Sequence, residues 1–161
     1  MKRLVLLRHA TTEANHQGGD KARGLLPRGL EQAASVGAEL AGLGIDYALV
    51  SAAIRTRQTF DALGLDVPAE FQEALYHGDA DVMLQRISET DESFSGLLVV
   101  GHAPTIPTLS TILGSASASR EADQLRCGFM PATWAEFTFD GSWADLPDEL
   151  DGVRLVSVHQ A

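Results

Sequence analysis

Two arginines and two histidines stand where they could act together on an anion. Arg8 and His9 close a short apolar run, Arg55 follows a second, and His102 follows Leu97-Leu98-Val99-Val100-Gly101. A neutral imidazole offers a nitrogen lone pair as a nucleophile, and a guanidinium offers a planar fork to phosphate oxygens. Each residue alone has a plainer reading, as a satisfied strand-end histidine or an exposed ion pair. Arg55 falls on the first turn of a predicted helix, where the dipole favours anions, so a cation there suggests an anion nearby. Thr12 and Asn15 can donate to phosphate oxygens, or merely cap and turn the loop. Metal binding is an alternative for His9 and His102. However, no helix-spaced histidine pair is present and no carboxylate cluster accompanies either one. A nucleotide-binding P-loop is absent.

The elements that must position these groups can be read from periodicity. Residues 3–8 read as a buried parallel strand, and 10–27 as a Gly-rich loop. From Arg28 a helix begins, with Leu30, Ala33, Ala34, Gly37, Leu40 and Ala41 as its apolar face and Gly42 and Gly44 as its stop. Residues 47–50 form the next strand, and Ser51 is the expected cap of a helix reaching about Gly64. A modest helix is expected over 81–89, a strand over 97–100 and a helix over 105–113. Residues 115–119 are small and polar, and 120–126 fit a loop or a short helix. Two late strands cover 134–139 and 153–158. Trp134, Trp143 and His159 read as packing or surface residues. The order predicts a three-layer α/β/α sandwich with a mostly parallel central sheet, one domain over residues 1–161. Ligands of such sheets sit beyond the carboxyl ends of the strands, where His9, Arg55 and His102 fall.

Composition narrows the functional classes. A net charge of −10 argues against general nucleic-acid binding and anionic membranes. Yet residues 1–58 carry eight of the 12 Lys and Arg and only five of the 22 Asp and Glu, which suits a local anion site. The single cysteine, Cys127, excludes an intrachain disulfide and a cysteine metal cluster, and reads as an incidental thiol. The opening apolar run is too short for a secretory signal and is interrupted by Arg8-His9, so a cytoplasmic protein is expected.

Leu-Leu-Arg8-His9-Ala10-Thr11-Thr12-Glu13-Ala14-Asn15 resembles the Arg-His-Gly-x-Thr-x-x-Asn signature of the histidine phosphatase superfamily, also called phosphoglycerate mutase-like. Ser51-x-x-x-Arg55-x-x-x-Thr59 and Val-Val-Gly101-His102 match its second and third blocks, and Leu26-Pro27-x-Gly29-x-x-Gln32-Ala33 its intervening helix start. The resemblance implies that His9 is the nucleophile, attacking phosphorus and becoming phosphorylated, and that Arg8, Arg55 and His102 hold the three equatorial oxygens and stabilise their charge. Asn15 would add a hydrogen bond, Thr12 and Ala103 would belong to the phosphate-binding set, and neither metal nor cofactor is called for. Ala10 departs from the usual glycine. The proton donor also departs, because Glu73, the candidate acid, has its partner glycine, Gly78, one place late; His77 and Asp79 are weaker alternatives. The length resembles the compact SixA-like phosphohistidine phosphatases, with little lid material between residues 79 and 96. The partner would then be a phosphohistidine-bearing protein or a phosphorylated small molecule. A phosphomonoesterase or mutase, and a non-catalytic phosphate-binding module, are the alternatives.

Overall fold

The structure, a computed structural model, describes residues 1–117, 120–126 and 128–160. Cys127 and the end of the small polar stretch, residues 118 and 119, lie outside the described residues. Strand β1 (Lys2–Arg8) leads through a loop to helix α1 (Pro27–Leu40). Strand β2 (Tyr47–Ser51), helix α2 (Ile54–Leu63) and strand β3 (Ala69–Gln72) follow. Next come α3 (Ala74–His77), α4 (Ala80–Ser88), β4 (Gly96–Gly101), α5 (Thr105–Gly114) and α6 (Arg120–Arg126). Strands β5 (Trp134–Phe139) and β6 (Arg154–His159) close the chain.

The six strands form one sheet in the order β3-β2-β4-β1-β5-β6. The first four are mutually parallel, and β5 and β6 are antiparallel additions. β1 and β4 lie in the interior of the sheet, which explains their unbroken apolar runs, since both faces must be covered. Val5, Leu7, Val50, Leu98 and Val100 face α1 and α2. Leu4, Leu6, Leu49, Leu97 and Val99 face α4 and α5 on the other side. Each fully buried leucine or valine stabilises the fold by about 1.5–3 kcal/mol relative to an exposed one.

The structure moves some expected features. The buried stripe of α1 is Gly29, Ala33, Val36, Gly37 and Leu40, whereas Leu30 is exposed. Close backbone approach sets this face. A Cβ on Gly37 would stand 1.9 Å from the Leu63 carbonyl oxygen, and one on Gly29 would stand 2.2 Å from that of Thr11. Ser51 does not cap α2; the cap position is Ala53, without a side-chain bond. Instead Ser51 ends β2 fully buried. The short edge strand β3 and the helix α3 are additional to the expected elements, and the segment left open over 120–126 is helical. Trp143 is fully buried and donates to the Phe94 carbonyl at 2.7 Å, and Trp134 stacks on His159 at 4.0 Å. Among the described residues, no helix is long and apolar enough to cross a membrane.

Candidate active site

β1, β2 and β4 bring their carboxyl ends together, because β4 pairs with both neighbours in parallel register. His9 leaves β1 and donates its backbone N–H to Gly101 of β4 at 3.0 Å. The rings of His9 and His102 lie 5.5 Å apart between centroids. The Ala10 N–H donates to Thr59 Oγ1 at 3.1 Å, and that hydroxyl donates to the Arg55 carbonyl at 2.7 Å, tying the loop after His9 to α2. Ala10 is fully buried in this turn, so its methyl is accommodated where the family usually has glycine.

The hydrogen bonds of the four central residues decide what they can do. His9 Nδ1 lies 2.8 Å from the Ala10 carbonyl. A carbonyl can only accept, so Nδ1 carries the proton and Nε2 keeps the lone pair. Arg8 donates Nη1 to the Phe129 carbonyl at 2.8 Å. Arg55 donates Nη1 to the Asp20 carbonyl at 2.8 Å and Nη2 to Asp20 Oδ2 at 3.1 Å. His102 Nε2 shares a hydrogen with Ser51 Oγ at 2.7 Å. What remains is informative: Arg8 Nε, Arg55 Nε and His102 Nδ1 are buried without a hydrogen-bond partner. A buried unpaired polar atom costs about 1–3 kcal/mol. All three belong to residues that lie near the His9 ring, and Arg55 and His102 also line the cavity beside it.

Burial also sets the charge states. It pushes His9 down to about 4, aided by the nearby Arg55 and Arg8 and opposed by the bond to Ala10. Burial, followed by repulsion from Arg55, pushes His102 down to about 3. Burial lowers Arg8 as well. Both imidazoles are therefore neutral near pH 7. In the unfolded chain each titrates near 6.5, so that state binds more protons than the fold at pH values between there and the folded pKa values. Stability rises with pH in that window and is lost as pH falls from about 6.5 toward 4. Denaturant midpoints measured from pH 7 to pH 4 should show this decline, and the double variant His9→Gln/His102→Gln should show a shallower one. Equal slopes in the two proteins would contradict the assignment.

A cavity of about 540 Å³ opens beside these groups, bounded by Arg55, His102, Ala103, Tyr76, His77 and the carboxylates of Asp20 and Asp79 among others. Of the residues singled out in the sequence, Arg55, His102 and Ala103 line it. The outlying candidates His77 and Asp79 line it too. Thr12 lies outside that lining, with its Oγ1 accepting from Arg23 Nη2 at 2.7 Å, and Asn15 is exposed in the following loop. Glu73 is also outside it. Its exposed carboxylate is paired with Lys21 Nζ and lies 3.8 Å from His77 Nε2. The Lys21 bond is the largest influence holding Glu73 below its ordinary value. Three residues that sequence reasoning gave no site role are Asp20, Tyr76 and Ser51. Ser51 stood out as a helix cap and as the first residue of the second signature block, without a role of its own. Asp20 was one acid in a Gly-rich loop, and its bond to Arg55 spans 35 positions. Among the described residues no group of three metal-ligating side chains converges.

An α/β sandwich that gathers two histidines and two arginines beyond the carboxyl ends of its strands fits a phosphoryl-handling enzyme, and the comparisons agree. The description of the histidine phosphatase superfamily (branch 1) matches residues 4–94. An uncharacterized protein of Mycobacterium tuberculosis is 34% identical over 157 residues, covering 95% of this chain and 98% of its own. A solved structure from Nakamurella multipartitia, provisionally named phosphohistidine phosphatase SixA, is 34% identical with a TM-score of 0.88, over 99% of this chain and 95% of that one. The protein histidine phosphatase SixA complexed with tungstate shares the fold at a TM-score of 0.77 and 22% identity, over 97% of this chain and 95% of that one. The chain belongs to the histidine phosphatase superfamily, and it is a phosphatase.

Proposed function

We propose that the protein, acting as one domain, hydrolyses phosphohistidine on a partner protein through a phosphorylated His9. The observation that carries this reading is the set of unpartnered buried atoms, Arg8 Nε, Arg55 Nε and His102 Nδ1, around a histidine whose Nε2 lone pair is free. In the first step His9 Nε2 attacks phosphorus, and the bond from phosphorus to the leaving nitrogen breaks. The two arginine Nε–H groups donate to equatorial oxygens. His102 Nδ1–H donates to the third when the Ser51 hydroxyl donates to Nε2, the tautomer this pairing permits. Water then attacks the phosphorus of phospho-His9, inorganic phosphate leaves, and neutral His9 is restored.

The state of Glu73 supports the choice of substrate. An alkoxide needs a proton as it departs, and a useful acid must hold that proton at working pH. Glu73 is displaced in the opposite direction and is engaged by Lys21. A phosphorylated imidazole is less demanding, because its second nitrogen can already carry a proton, and the imidazole then leaves neutral. The alternative, an ester phosphatase, would draw its proton from His77, which lines the cavity. Glu73→Gln should therefore change turnover of both a phosphohistidine peptide and an aryl phosphate by less than about threefold, far below the 10²–10⁴ of a general acid. A tenfold or greater loss confined to the ester would restore Glu73 as its acid.

A further inference from the structure

Arg55 is already engaged by an anion from its own chain. Asp20, in the loop between β1 and α1, accepts from both terminal nitrogens of Arg55, once through its carbonyl and once through Oδ2. The same Oδ2 accepts the Tyr76 hydroxyl at 2.8 Å, and Oδ1 accepts Arg23 Nη1 at 2.9 Å. Lys21, the next residue, pairs with Glu73 beside α3. The loop is thus strapped to the α3 segment at two successive residues, which fixes the position of the Asp20 carboxylate. That carboxylate is 53% exposed and lines the cavity that Arg55 and His102 share. A lasting negative charge therefore stands at the mouth of the anion site, on the guanidinium whose remaining edge, Nε, is unpartnered. Arg55 and Arg23 offset part of it, Lys21 is paired with Glu73, and among the residues that line the cavity the charge of Arg55 is balanced by Asp20. Asp79 adds a second exposed carboxylate to the same lining.

We propose that Asp20 is a specificity-determining residue of this site: its carboxylate discriminates against phosphoryl compounds whose departing part carries a second negative charge. The favoured class has a neutral or cationic departing part, such as an imidazole. The inference rests on the proposed phosphoryl site and adds to it the charge of what that site accepts. Like charges about 7 Å apart in a partly solvated cleft repel enough to change affinity by about tenfold at low salt.

The test compares the binding of phenylphosphonate and 4-carboxyphenylphosphonate to the wild-type protein, Asp20→Asn and Asp20→Ala, by calorimetry at low salt. The wild type should bind the carboxylated probe about tenfold more weakly, and both variants should shrink that ratio to within about threefold. A role confined to holding Arg55 in place would weaken both probes together and leave the ratio as it was. An unchanged ratio in a folded variant, or a wild type that binds the two probes equally, overturns the proposal. A wild type that binds neither probe overturns it together with the phosphoryl site. A protein that shows the ratio but hydrolyses no phosphoryl compound counts against the catalytic reading alone.

Discussion

Replacing His9 by alanine should reduce phosphatase turnover by at least about 10⁴-fold, with folding retained. The size follows from what is lost. The substitution removes the atom that forms the covalent bond in the proposed mechanism, and nucleophile knockouts in other hydrolases cost on the order of 10⁶. Nothing nearby replaces it. His102, the other imidazole, lies 5.5 Å away with Nε2 committed to Ser51. Alanine at position 9 also keeps the backbone bond to Gly101, since that bond uses the His9 N–H. The residue is only 7% exposed, so a cavity remains, but no charged group is buried there because the imidazole is neutral. Steady-state turnover of a phosphohistidine peptide, with circular dichroism alongside, checks the result. Turnover within tenfold of wild type would mean that phosphorus is attacked by something else.

Arg55→Ala comes second, at about 10²–10³ in kcat, the range for removal of one preorganised donor to transition-state charge. Its guanidinium is 8% exposed on the side chain and anchored by Asp20, so its Nε–H is held in place before substrate arrives. Preorganisation is what makes such a donor effective, because no reorientation is needed as charge develops. Arg55→Lys should recover little. An ammonium supplies a point charge and cannot use the two Asp20 acceptors while presenting a third, inward N–H in the same plane. If the lysine variant matched wild type within a factor of about three, charge alone would suffice and the planar arrangement would be irrelevant.

The residues of the proposed site could be picked out because each sits next to a strong local signal. Leu4 to Leu7 and Leu97 to Val100 are apolar on both faces, so they announce interior strands, and the polar residues that end them must lie at the sheet's edge. Parallel pairing then forces His9 and His102 toward one another. The sheet class followed from the same runs. What escaped depends on contacts that sequence distance hides. β3 has four residues, two of them exposed, and offers no alternation long enough to read. The face of α1 is chosen by how closely two glycines let backbones approach, so an apolar pattern containing Leu30 pointed one position away. Ser51 carries a good cap residue's side chain, but β4 delivers His102 to it first. Asp20 is the clearest case. An acid beside a proposed phosphate site reads as a liability until Arg55, Arg23 and Tyr76 are seen around it, holding it well below the usual carboxylate range, with the Tyr76 bond the largest influence.

A rapid-quench experiment with a ³²P-phosphohistidine peptide addresses the central claim. The quench is alkaline, since phosphorylated imidazole is lost in acid, and the label is located by peptide mapping. Label on His9, forming and decaying within one turnover and missing from the alanine variant, is the outcome the account predicts. Label recovered on another side chain, or direct transfer to water with no labelled protein at any time point while turnover proceeds, would contradict it.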